Sequence, residues 1–174
     1  KERVALVNDG NPLKFGYNTE GTHNLRVAFL AQAWDDAFGL KTQQIGSEFG
    51  VFLTERHQGL YDIARNGWGA DYPHANNQLT GLHTCGGGNN DQQYCNPAFD
   101  ELLVQAAAEA DQTKQADIYK EAQALLMADA PMLPLIYAVT PILIRPWVTG
   151  VTQTPMDSQN PGEHFYETIQ ILAH

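Results

Sequence analysis

In "IARNGWGADYP" a guanidinium (Arg65), an indole (Trp68) and a carboxylate (Asp71) follow one another closely. A carboxylate with no committed partner attracts a cation, and a primary ammonium suits it because it offers three donors. Trp68 can wall the same pocket with a flat apolar face. Arg65 either pairs with Asp71 or meets a carboxylate from outside. Each residue also has a purely structural use: Asp71 capping a turn, Trp68 in a core, Arg65 in a buried ion pair.

The elements around these residues decide where they stand. "LYDIARNGW" (60–68) reads as a strand, with Ile63 and Ala64 buried on opposite faces as in the middle of a covered sheet. Before it, 12–19 alternates like a strand. Thr22 can cap a helix that runs to Phe38 and stops at Gly39. On that helix Val27, Leu30, Trp34 and Phe38 form an apolar stripe, widened by Leu25, Ala28 and Phe29. Residues 40–47 read as a second strand, and Ser47 as the cap of a short helix to His57. Strand–helix–strand–helix–strand is the pattern of an α/β layer with parallel neighbours. A strand ending at Trp68 and turning through Gly69 delivers Asp71 to the carboxyl edge of the sheet, where open α/β sheets bind ligands.

Residues 71–96 lack periodicity and are rich in turn formers, which predicts a long loop of the functional kind. Cys85 and Cys95 bracket "GGGNNDQQY" within it. A disulfide there would imply an oxidising compartment. The competing reading is a metal site with His74 and His83, although zinc sites show a tighter Cys pair and a second ligand pair. Asn96 and Pro97 open a helix with Phe99, Leu102, Leu103, Ala106 and Ala110 on one side. Another helix spans 113–129 and ends at Pro131. The apolar run 132–144 reads as strand, bend and strand, and 164–172 as a last strand, in a different sheet from the first three.

Bulk properties exclude several classes. Ten basic residues against twenty acidic ones give a formal charge of −10, with no basic stripe to neutralise phosphates, so nucleic acid is not an expected partner. No run of about eighteen apolar residues is present. The opening "KERVALVNDG" lacks the apolar core of a signal peptide. The chain is therefore cytosolic, or has lost a signal, or begins partway through a larger protein. No nucleophile elbow, phosphate-cradling loop or H-E-x-x-H motif appears. The Gly-rich loop offers neither Cys a helix N-terminus to activate its thiol. An enzyme is not the expectation, and no cofactor is called for.

"RHQGLYDIARNGWGADYP", "NN…YCNPAFDELL", "IYKEAQALLMADAPMLPLIY" and "IRPWVTG", in this order, resemble the C-terminal part of the periplasmic oligopeptide-binding proteins. These are solute-binding components (family 5) of peptide ABC transporters, in a group that also takes up dipeptides, murein peptides, haem and nickel. The resemblance implies a type II periplasmic-binding-protein lobe: a sheet with flanking helices over 1–144, then a return segment, 145–174, toward the other lobe. It implies a C-terminal fragment of a monomeric, extracytoplasmic protein that hands peptides to membrane permease subunits. By the same resemblance Asp71 grips the peptide's α-amino group and Trp68, beside Gly69, lines a side-chain pocket. Arg65 and His23 match positions that meet the peptide carboxylate, and Arg56 matches a cleft residue. Phe49 stands where a tryptophan is usual and Ala138 where a cleft tyrosine is expected. The Cys85–Cys95 pair fits the dipeptide-type relatives, where a loop disulfide occurs. The alternatives are nickel or haem on the same fold, with His23, His57, His74 or His83 as ligands, and a thiol or metal enzyme.

Overall fold

The computed structural model describes residues 10–139, 141–154 and 165–173. The chain divides into two compact units, Lys1–Gly67 with Cys85–Cys95, and Trp68–Thr84 with Asn96–His174.

The first unit is the expected α/β layer. Strand β1 (Leu13–Asn18) is central, with helix α1 (His23–Phe38) leading to β2 (Thr42–Ser47) and α2 (Phe49–His57) leading to β3 (Ile63–Ala64). The order is β2-β1-β3 and both pairings are parallel, from Leu13↔Thr42 to Asn18↔Ser47 on one side and Phe15↔Ile63, Gly16↔Ala64 on the other. Gly16 is required by close approach: a Cβ there would come within 2.5 Å of the Tyr61 ring. Gly39 ends α1 in the left-handed region at φ 75°, its N–H bonding back to the Asp35 carbonyl and the Leu40 N–H to that of Trp34.

Three local expectations for this unit need correcting. The cap of α2 is Glu48, whose carboxylate accepts from the Gly50 and Val51 N–H groups, while Ser47 Oγ donates to Glu55 at 2.9 Å. The third strand is two residues long and half-buried at an edge. On its entry side the Asp62 carboxylate takes the Lys14 N–H at 2.7 Å, and on its exit side the Asn66 side chain accepts from Gly67 N. The buried stripe of α1 is also narrower than expected. Val27 and Ala31 are buried and Trp34 stacks on Phe15 at 5.4 Å, whereas Leu25, Phe29 and Phe38 are exposed. Two positions along a helix are 200° around it, so Leu25 cannot share the Val27 face.

The second unit is mainly helical, with one short sheet described below. It contains α3 (Ala75–His83), α4 (Pro97–Ala108) and α5 (Gln112–Asp129). Asn96 caps α4 through Ala98 N with Pro97 in the first turn, and Asp111 caps α5 through Thr113 N and Lys114 N. Phe99, Leu103 and Ala106 of α4, with Tyr119, Ala122 and Leu126 of α5, supply its buried apolar residues together with Leu79 and Leu82 of α3. Helix α3 lies where a loop was expected. Its cap is a histidine, His74, whose Nδ1 accepts from Asn76 N, and its short buried side holds only two large apolar residues.

The described part of 132–144 forms no ladder, contrary to expectation, and Tyr137 and Leu143 are fully exposed. Pro134 and Pro141 each remove a ladder donor. Val148–Thr149 (β4) and Gln170–Ile171 (β5) pair antiparallel as a separate two-stranded sheet, as expected of a last strand outside the first sheet. That strand is shorter than expected, because Tyr166–Thr168 coil into a 3-10 turn; His164 lies outside the described residues. No helix among the described residues is long and apolar enough to cross a membrane.

Candidate functional site

In the second unit, Trp68 and Asp71 are joined by a residue that the sequence did not single out. Asn77, buried on α3, accepts from Trp68 Nε1 at 2.9 Å and from Asp71 N at 3.3 Å through one oxygen, Oδ1. Its Nδ2 donates to Asp71 Oδ2 at 2.9 Å. The carboxylate is thus oriented by a neutral amide, and no lysine or arginine pairs with it among the described residues. Asp71 and Gly69 are exposed, and Trp68 remains 39% exposed. An aimed, uncompensated carboxylate beside an open indole can take a cation with an apolar neighbour. "HANN" after a proline reads as turn chemistry, which hid Asn77; its signal is burial of an amide, visible only once α3 exists.

Asn77→Ala is expected to lower the unfolding free energy by about 1–3 kcal/mol, since Trp68 Nε1 and Asp71 N lose their acceptor. Urea denaturation measures this, and an unshifted midpoint would show that solvent replaces the amide.

In the first unit, Arg65 follows β3, its N–H bonded to Gly16 O at 2.9 Å and its Nη1 to the buried Asn18 Oδ1 at 3.2 Å. It pairs with no carboxylate among the described residues. Burial lowers its pKa, and the nearby Arg56 and Arg26 charges add to that effect. His23 opens α1, and its Nδ1 is buried with no hydrogen-bond partner among the described residues. Burial depresses the imidazole pKa, the Arg65 and Arg26 charges depress it further, and Glu20 opposes them. A half-buried guanidinium without a counter-ion, beside a histidine held neutral, is an environment that an anion would relieve.

Arg56 differs from Arg65. Its Nε donates to Asp91 at 2.7 Å and its Nη1 to Asn66 Oδ1 at 2.8 Å, and its guanidinium lies 5.5 Å above the Phe52 ring. Phe49, the first residue of α2, is exposed and its N–H reaches Glu20 at 3.2 Å. Cys85 and Cys95 form a disulfide with Cα atoms 4.4 Å apart, so neither thiol is open to a metal. Both nitrogens of His74 are engaged, one by Asn76 N and the other with Gln115 Oε1 at 3.2 Å. Among the described residues, no three His, Cys, Asp or Glu side chains converge as metal ligands.

No family model matches the chain. It is 35% identical over 166 residues to the periplasmic oligopeptide-binding protein OppA of Salmonella typhimurium, covering 94% of this chain and 30% of that protein. Among solved structures, Burkholderia pseudomallei OppA superposes with a TM-score of 0.83 at 31% identity, covering 98% of this chain and 33% of that one. Haemophilus influenzae OppA, solved in complex with RPPGFSPFR, gives 0.80 at 27% identity, covering 99% and 34%. The chain therefore spans about a third of the length of these relatives. Over that third, by sequence and by fold, it is a homologue of the periplasmic oligopeptide-binding proteins of solute-binding protein family 5, with their type II periplasmic-binding-protein architecture.

Proposed function

We propose that the protein is a non-enzymatic, extracytoplasmic solute-binding protein that captures peptides by the α-amino group and delivers them to an ABC permease. The observation that carries this reading is the Asp71 carboxylate, held by Asn77 beside the open Trp68 indole and paired with no cation among the described residues. The peptide-binding names of its homologues, and the peptide bound in the Haemophilus relative, support it. Asp71 takes the ammonium, Trp68 and Gly69 border the adjoining side-chain pocket, and Arg65 with His23 takes the carboxylate. Phe49 and Arg56 lie on the same unit as that carboxylate site. The protein acts as a monomer in the periplasm, and residues 145–174 return toward the other lobe. Native mass spectrometry of the full-length protein tests this. Co-purified peptides support it; bound metal or haem without peptide would sink it.

The depressed pKa of His23 adds a pH dependence. Near neutrality the ring is uncharged, and a peptide carboxylate arriving beside it raises its proton affinity, so binding takes up a proton. The affinity advantage of a free-acid peptide over its C-terminal amide should therefore grow as pH falls from about 7.5 to about 5.5. Using the difference cancels titration of the α-amino group. A pH-independent difference, measured by calorimetry, would place His23 away from the carboxylate.

A further inference from the structure

Arg56 and Arg65 both belong to the first unit and are close enough for the charge of one to act on the other, yet their surroundings differ. The Arg56 side chain is 16% exposed and its counter-ion, Asp91, 10%. Asp91 also meets His57 Nδ1 through its other oxygen at 3.1 Å. Asp91 comes from the loop closed by the Cys85–Cys95 disulfide. Inside that loop the buried Asn90 fixes the backbone beside it. Its N–H reaches Gly87 O at 3.0 Å, its Oδ1 accepts from Tyr94 N at 3.1 Å, and its Nδ2 donates to Tyr94 O at 2.6 Å. The loop is thus cross-braced immediately before the carboxylate it presents.

We propose that Asp91 is a specificity-determining residue: carried by the disulfide-closed loop, it neutralises Arg56 and leaves Arg65, not Arg56, to meet a ligand's carboxylate. An approaching anion meets Arg56 and Asp91 as a nearly neutral pair, and Arg65 as a charge in no ion pair among the described residues. Loss of the Asp91 charge would add a second cation to the site and strengthen selection for free carboxylates. The inference rests on the peptide-binding reading above.

The test uses the full-length protein with trialanine, tetraalanine and pentaalanine, each as free acid and as C-terminal amide. In Asp91→Asn the acid-over-amide preference of the best-bound length should rise at least about fivefold, the effect of one nearby charge in a partly wet site. Asp91→Glu, which keeps the charge, should restore a preference near that of the wild type. An unchanged preference in Asp91→Asn overturns the inference while leaving peptide binding intact. A wild type that binds none of the peptides overturns the peptide reading itself. A second measurement needs no variant: in the ligand-free wild type, phenylglyoxal should modify Arg56 several-fold faster after the disulfide is reduced. Equal rates before and after reduction would show that the loop does not hold Asp91 on Arg56, and would also overturn the inference.

Discussion

Asp71→Asn in the full-length protein should weaken peptide binding by about 2–5 kcal/mol, the loss measured when one partner of a buried charge pair is removed. The substitution is chosen because it keeps the shape. An amide at position 71 can still accept from Asn77 Nδ2 through its oxygen, so the local fold has no reason to change. What disappears is the charge. In the free protein Asp71 is exposed and its carboxylate is solvated, so little is gained or lost there. On binding, water leaves, and an ammonium facing a neutral amide keeps its desolvation cost without the attraction that offsets it. Calorimetry with a peptide and its N-acetylated form checks the assignment. The acetylated peptide should bind weakly to both proteins and with similar affinity. An unchanged affinity for the free-amine peptide would show that Asp71 is only a turn residue.

Phe52→Ala should lower stability by about 3–5 kcal/mol, the usual cost of emptying a large aromatic site in a core. Phe52 is fully buried, its ring 5.8 Å from that of Tyr61 and beneath the Arg56 guanidinium. Truncation removes the packing on both sides at once. Tyr61 has limited freedom to collapse inward, because its hydroxyl donates to Glu55 and its ring fills the space above Gly16. Phe52→Leu keeps most of the volume and should cost about 1 kcal/mol. Chemical denaturation of the pair separates a cavity effect from a general intolerance of α2. A loss near 1 kcal/mol for alanine would mean that the surrounding helix and strand close the void.

Features set by one residue's own backbone chemistry were the most legible in the sequence. Gly39 stops α1, Asn96–Pro97 starts α4, and the alternation of strands and helices gives the parallel sheet. Features set by competition between side chains were not. Ser47 and Glu48 are both plausible caps, and the choice falls to Glu48 because Glu55 takes the serine hydroxyl. The third strand reads longer than it is because nothing local announces that the Asp62 carboxylate will replace a ladder bond. Helix α3 carries too few apolar residues to show a period, and its histidine cap is an uncommon one. Of the candidate residues, Asp71, Trp68 and Arg65 were visible as residue types in a suggestive order. The groups that hold them, Asn77 and Asn18, are ordinary polar residues whose role exists only in three dimensions.

The single oxygen of Asn77 shared by the Trp68 indole and the Asp71 amide ties the placement of the indole to that of the carboxylate. Replacing Trp68 removes one of the two donors to that oxygen, so the carboxylate beyond it is less tightly oriented. Substitutions at 68 and 71 should therefore be non-additive, and a double-mutant cycle should show coupling of about 0.5–3 kcal/mol. Change at position 68 would then proceed through compensating pairs, with position 77 the natural place for the second.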